Sequence, residues 1–140
     1  MKSLLTLALS LILIGVSHGS YDHPLTRVGE IGDKTCFCIP FTKRILKSPD
    51  WTPDKPLPTP IKKLRKKVRA YVHKFLSEQG EDPDRWIYAG TDILSLKGSV
   101  DSKWFIYMRY QRALRRDHVW VAVTLDGKIF PLVTGHKVKK

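Results

Sequence analysis

The stretch TPIKKLRKKVRAYVHKFLSEQG, residues 59–80, decides how this chain folds. Thr59 and Pro60 suit the N-cap and the first position of a helix, and Gly80 suits its end. Between them, apolar residues recur at steps of three and four, which is the period of one helical face. The sequence therefore predicts a helix over residues 60–79, about 20 residues and about 30 Å long. Its predicted buried face comprises Ile61, Leu64, Val68, Tyr71, Val72, Phe75 and Leu76.

After residue 80 the apolar period becomes two, as expected of strands with one buried face. Asp126-Gly127 predicts a tight hairpin. Pro131 lies within the strand that returns from this hairpin and predicts an edge position for that strand. A helix with one apolar face must bury that face against a partner. The sequence therefore predicts an α+β domain over residues 60–134, with one long amphipathic helix packed on three or four antiparallel strands. The predicted strands cover residues 86–97, 102–114, 118–125 and 128–134.

The N-terminal residues have the pattern of an export signal. Lys2 supplies the positive start, residues 4–16 form a nearly continuous apolar run, and Ser17-His18-Gly19 ends it with small residues. The run is shorter than the ~20 apolar residues needed to cross a bilayer. The sequence predicts a signal peptide at residues 1–19, cleaved after Gly19, and a secreted protein. The alternative is a retained membrane anchor.

Residues 20–59 predict an extended, proline-rich arm. Prolines crowd its second half, and each one fixes φ and removes a backbone N–H, which excludes a helix and favours polyproline-like backbone. We expect one short strand in the arm, at residues 36–41. At the other end of the chain, residues 135–140 predict a basic tail.

Cys36 and Cys38 are the only cysteines. Thiols of an exported protein normally pair. However, two cysteines that are two positions apart in a strand lie near the upper limit of the distance that a disulfide can bridge. A disulfide-linked homodimer through Cys36 and Cys38, a strained local bridge and two reduced thiols therefore all remain open. A single pair of cysteines excludes a disulfide-scaffold toxin or growth factor.

The formal net charge is +12, and much of it lies on the predicted helix, where residues 55–77 contain no acid. Its basic side chains occupy the arc opposite the apolar face. Lysines four residues apart repel by about 0.2–0.5 kcal/mol per pair, and cations in the first turn oppose the helix macrodipole. A bound polyanion would reverse the sign of these terms, although a solvated face selected for solubility is the alternative. The predicted polyanion-binding residues are Lys62, Lys63, Arg65, Lys66, Lys67 and Arg69.

Arg112, Arg115 and Arg116 form a second basic set around the turn between two predicted strands. The planar guanidinium binds sulfate or phosphate in bidentate fashion. If this turn lies beside the helix, the two sets form one groove and the three arginines extend the polyanion-binding site. The alternative is a charged turn with no partner.

The expected partner is a sulfated glycosaminoglycan or another acidic matrix polymer, including a mineral-associated matrix, because export brings the protein to those polymers. Nucleic acid satisfies the same electrostatics, but export argues against it. An anionic membrane surface is an alternative, since basic amphipathic helices also bind there, and it would make the chain a cationic defence protein.

No motif predicts catalysis. His23, His73, His118 and His136 are scattered along the chain, without a metal-ligand spacing, and no serine or cysteine lies in a nucleophile motif. We expect no enzymatic activity, no small-molecule substrate, no cofactor and no metal.

A long helix followed by antiparallel strands resembles the cystatin family of cysteine-protease inhibitors, over roughly residues 60–133. The run Ile87-Tyr88-Ala89-Gly90-Thr91 is similar to the end of that family's first inhibitory loop, and Tyr110-Gln111-Arg112-Ala113-Leu114 is similar to the stretch before its second loop. The resemblance implies a cystatin-like fold and, as a second expectation, inhibition of cysteine proteases. Trp86 stands where the family's loop has glutamine, and no Pro-Trp pair marks the second loop.

Overall fold

The computed structural model describes residues 26–38, 45–95 and 103–136. The predicted signal peptide at residues 1–19 and the end of the predicted basic tail lie outside these ranges. The elements are β1 (Thr26–Ile31), β2 (Lys34–Cys38), α1 (Ile61–Glu78), a short 3-10 turn (Pro83–Arg85), β3 (Trp86–Ser95), β4 (Trp104–Arg112), β5 (His118–Thr124) and β6 (Leu132–His136).

The six strands form one antiparallel sheet in the order β3-β4-β5-β1-β2-β6. The predicted fold, an extended arm followed by a helix on three or four strands, is therefore wrong. The sheet is larger because β1 and β2 come from the segment that the sequence predicted to be an arm. β1 pairs with β5 on one side and with β2 on the other, so this segment supplies two internal strands.

The turn between β1 and β2 explains how two short strands form there. Gly32 has φ +57°, and β1 pairs with β2 up to Ile31 and Lys34 on either side of it. A two-residue Gly-Asp turn between β-branched and aromatic runs is a recognised hairpin signal. The sequence contained this signal at Gly32-Asp33, but the prolines further along the segment hid it.

The end of the chain also departs from the predicted hairpin. The turn at Asp126-Gly127 forms, with Gly127 at φ +93° and its N–H bonded to the Thr124 carbonyl at 2.9 Å. However, the returning chain meets β5 only at the bridge between Val123 and Ile129, and β6 then pairs with β2. β1 already pairs with that edge of β5, so the last strand continues to the free edge of β2.

The helix lies close to its predicted range, but its start differs. Pro60 is the N-cap, and no side chain caps the helix, so the predicted capping role of Thr59 is wrong. Gly80, with φ +78°, ends the helix. The buried residues of α1 are Leu64, Val68, Val72, Phe75 and Leu76.

The helix lies across one face of the sheet. Arg65 near its start contacts Tyr88 of β3, and Gln79 just beyond its end accepts hydrogen bonds from Lys34 of β2 and Thr134 of β6, at 3.3 and 3.1 Å. The apolar face of α1 and the facing strand residues belong to one buried core. The exposed side of α1 stores repulsion between cations, which destabilises the isolated helix. The helix therefore depends on burial of its apolar face for its stability.

The proline-rich segment is packed rather than extended into solvent. Ile45 is fully buried and Trp51 is nearly so. The ring of Trp51 meets that of Trp104 edge-on at 5.5 Å, and its Nε1 donates to the Lys55 and Pro56 carbonyls at 3.0 and 3.1 Å. Lys103 holds the same segment through the Ser48 carbonyl at 2.6 Å.

Candidate anion-binding groove

A groove of about 550 Å³ runs between α1 and β3. The helix contributes Lys62, Arg65, Lys66 and Arg69 to one wall, with His73 further along. Spacings of three, four and seven residues place these four cations on one stripe of the helix. We call this cavity, with its four cations, the helix groove.

The other wall of the helix groove is aromatic and apolar. Trp86, Ile87 and Tyr88 of β3 and Tyr110 of β4 line it. Tyr88 and Tyr110 are cross-strand partners whose rings meet edge-on at 5.8 Å. The Arg65 guanidinium carbon lies 4.0 Å from the centre of the Tyr88 ring, which is a cation–π distance. This contact orients Arg65 along the groove.

Two of the predicted cations lie away from the helix groove. The Lys67 ammonium donates to the Gly127 carbonyl in the turn after β5, and Leu64 packs against the same glycine. Lys63 is exposed and does not line the groove. The helix therefore presents Lys62, Arg65, Lys66 and Arg69 together, and turns Lys63 and Lys67 to its other side.

The helix groove has no acidic lining residue, and its four cations form no ion pair with any residue that the structure describes. Acidic side chains pair with other cations instead, such as Asp50 with Lys103 at 2.9 Å and Asp92 with Arg109 at 3.2 Å. Among the residues that the structure describes, no acid compensates the positive charge of the groove. Such an uncompensated field attracts anions and raises their rate of encounter.

Trp86 carries an unusual donor in the wall of the helix groove. The side chain is 7% exposed, and its Nε1 has no hydrogen-bond acceptor among residues 26–38, 45–95 and 103–136. Buried polar groups are nearly always paired. Nearby, burial raises the pKa of Tyr110, and Tyr88 adds to that rise. The cationic Arg65 and Arg69 act in the opposite direction. Burial in this wall thus favours the neutral form of the Tyr110 phenol, which raises its pKa.

The three arginines of the second basic set do not act together. Arg112 is 17% exposed and its Nη1 lies 3.1 Å from Glu81 and 3.7 Å from Asp117. Arg112 therefore holds the start of the β4–β5 turn to the segment after α1. Arg115 and Arg116 are exposed and line a different cavity, so the predicted single groove does not form.

The two cysteines are free and fully buried on β2. They pair in register with Leu132 and Thr134 of β6, whose contacts with Tyr71 and Gln79 show that this side faces α1. Burial raises the pKa of Cys36 to about 11 and that of Cys38 to about 12. A disulfide-linked homodimer would require this part of the sheet to open.

Within the described ranges, no group of three or more His, Cys, Asp or Glu side chains could hold a metal ion. Among the same residues, no helix has the length and apolar character that a transmembrane span requires. The run quoted for the cystatin resemblance, residues 87–91, lies inside β3.

No protein-family model, curated protein or solved structure matches this chain.

Proposed function

We propose that this chain is a secreted, non-enzymatic protein whose helix groove binds an acidic extracellular polymer, with a sulfated glycosaminoglycan as the best-fitting class. The observation that carries the proposal is the set of four cations that share one groove and lack any described acidic partner. The export signal predicted at residues 1–19 would bring the protein to the extracellular space, where such polymers occur.

The spacing of the cations favours a chain over a single small anion. Lys62 and Arg69 are seven residues apart, which is about 10 Å along a helix. The charges therefore form a row that successive sulfates of one chain can follow. Arginine contributes bidentate contacts and lysine contributes point charges, and release of condensed counterions makes such binding strongly dependent on salt.

The aromatic wall also favours a partner that is built of rings, such as a saccharide. Tyr88 is partly exposed beside Arg65, so a ring lying along the groove can contact an apolar surface and cations together. A membrane-active role has less support, because the apolar face of α1 is buried in the core. Inserting that face into a lipid surface would cost the burial that holds the domain together.

The test compares retention on immobilised heparin with retention on a plain sulfonate exchanger. Lys62→Gln/Lys66→Gln removes two groove cations, and Lys63→Gln/Lys74→Gln removes two from elsewhere on the same helix. The proposal expects the groove variant to elute from heparin at distinctly lower salt than the control, and both to elute together from the exchanger. If both variants elute from heparin at the same salt concentration, retention depends only on the net charge of the protein and the proposed groove is refuted.

A further inference from the structure

The face of the sheet turned away from α1 carries a second basic cavity. Tyr88 and Tyr110 face the helix, as the contact of Tyr88 with Arg65 shows. Side chains alternate along a strand, so the next residues of β4, Arg109 and Gln111, point to the opposite face. Their direct partners on β5 are Trp120 and His118.

This cavity has a volume of about 300 Å³ and lies at the end of the sheet where β4 turns into β5. We call it the hairpin cavity. It is at the lower end of the size range of ligand sites, which suits a short segment of a chain. Its lining comprises Ala89, Arg109, Tyr110, Gln111, Arg115, Arg116, His118 and Trp120.

The charge of the hairpin cavity is also left largely uncompensated. Arg115 and Arg116 form no ion pair with any residue in the described part of the chain. The one acid of this turn, Asp117, instead accepts from the Gly32 N–H at 3.3 Å and lies 3.7 Å from Arg112. The two exposed arginines therefore face solvent as a free pair.

Arg109 and Trp120 line the hairpin cavity, and contacts with neighbouring residues hold both side chains in place. The Arg109 guanidinium lies over Gly90, where any Cβ would come within 2.7 Å of its Nη2. Its buried Nε lies 3.2 Å from Asp92 but makes no hydrogen bond of acceptable geometry with a described residue. Trp120 is 37% exposed and is held edge-on by Tyr107 at 5.6 Å.

The two buried side-chain donors without an acceptor in the described structure, Trp86 Nε1 and Arg109 Nε, belong to residues that line one cavity each. Both atoms are buried, so they do not reach into the cavities. What the two cavities share is a set of cations beside an aromatic surface, which an acceptor-rich anionic ligand complements. Tyr110 borders both cavities, but their cations belong to different elements, α1 for the helix groove and the β4–β5 turn for Arg115 and Arg116 of the hairpin cavity.

We propose that the hairpin cavity is a second binding site for the same sulfated polysaccharide, so that one protein molecule holds two chain segments and cross-links them. This inference rests on the proposed function of the helix groove. Arg115 and Arg116 bind sulfates at the rim, while Trp120 contacts a sugar face. The protein would then cross-link acidic polymers, whereas a protein with one site would only bind to a single chain.

The decisive measurement is the stoichiometry of a heparin-derived tetrasaccharide by isothermal titration calorimetry. Wild-type protein should bind two, and Arg115→Gln/Arg116→Gln and Lys62→Gln/Lys66→Gln should bind one each. The control Lys63→Gln/Lys74→Gln should still bind two. With long heparin chains, wild type should scatter light most strongly at an intermediate protein-to-chain ratio, and the two site variants should lose that maximum. Circular dichroism verifies that each variant is folded.

The failures of the two proposals are distinguishable. One tetrasaccharide on wild type, lost in Lys62→Gln/Lys66→Gln and unchanged in Arg115→Gln/Arg116→Gln, overturns the second site and leaves the helix groove standing. No binding to wild type overturns both. Equal affinity and stoichiometry for a single-stranded oligonucleotide of the same charge would overturn the assignment to a sulfated saccharide.

Discussion

Reversing one charge in the first turn of α1 should stabilise the free protein and weaken its binding. Lys62 and Lys63 are both exposed, both lie in a first turn that contains no acid, and each has a lysine four residues ahead. Only Lys62 lines the helix groove. Lys62→Glu and Lys63→Glu therefore change net charge and helix electrostatics alike, but only the first changes the groove.

The stabilisation can be worked from the helix. Replacing a first-turn lysine by glutamate removes an unfavourable interaction with the macrodipole and adds a favourable one, each about 0.3–1 kcal/mol. The repulsive pair with the lysine four residues ahead becomes attractive, a change of about 0.4–1 kcal/mol. The sum is about 1–3 kcal/mol at low ionic strength. For a domain of this size it should raise Tm by about 3–10 °C, and less at high salt.

The binding effect should separate the two variants. Lys62→Glu removes one contact to the polymer, so the slope of log K against log salt should fall by about 0.7–0.9, and affinity for heparin should fall tenfold or more. Lys63→Glu should retain most of the affinity.

Differential scanning calorimetry and salt-dependent heparin titrations provide the two readouts. A Tm that rises in neither variant would refute the argument that α1 stores repulsion. Equal loss of affinity in both variants would refute the geometry of the groove.

The framework of the domain depends on Arg112, on the two buried cysteines and on Gly29. Arg112→Ala should destabilise the domain by about 1–3 kcal/mol in thermal melts, because it leaves the poorly exposed carboxylates of Glu81 and Asp117 without their cation. Cys36 and Cys38 should resist a thiol reagent in the native state and react in denaturant, since the thiolate is the reactive form. Because burial raises both pKa values, the unfolded chain ionises first, so stability should fall between about pH 9 and about pH 12. Gly29→Ala should disrupt the pairing of β1 with β5, since its Cβ would come within 2.2 Å of a backbone oxygen, and chemical denaturation would measure the loss.

Local sequence patterns predicted the elements whose defining contacts are close together along the chain. The three- and four-residue period of α1 located its buried residues, because a helix is defined by contacts a few positions apart. The period of two after residue 80 is likewise seen in β4, where Ile106, Met108 and Tyr110 are buried on one face. Strand pairing across the chain was out of reach, because β1 and β5 meet through residues some 90 positions apart, at Gly29 and Val119.

The candidate site divides in the same way. The sequence determined that a row of unopposed cations lies on one side of an amphipathic helix, because residue spacing sets position around a helix axis. Which of those cations line one groove depends on long-range packing, because the position of β3 selects Lys62 and Lys66 for the groove and the turn after β5 takes Lys67. The same packing sent Arg115 and Arg116 to the opposite face of the sheet. Charge and periodicity are local properties of a chain, whereas the grouping of charges into a site depends on which distant strands the fold brings alongside them.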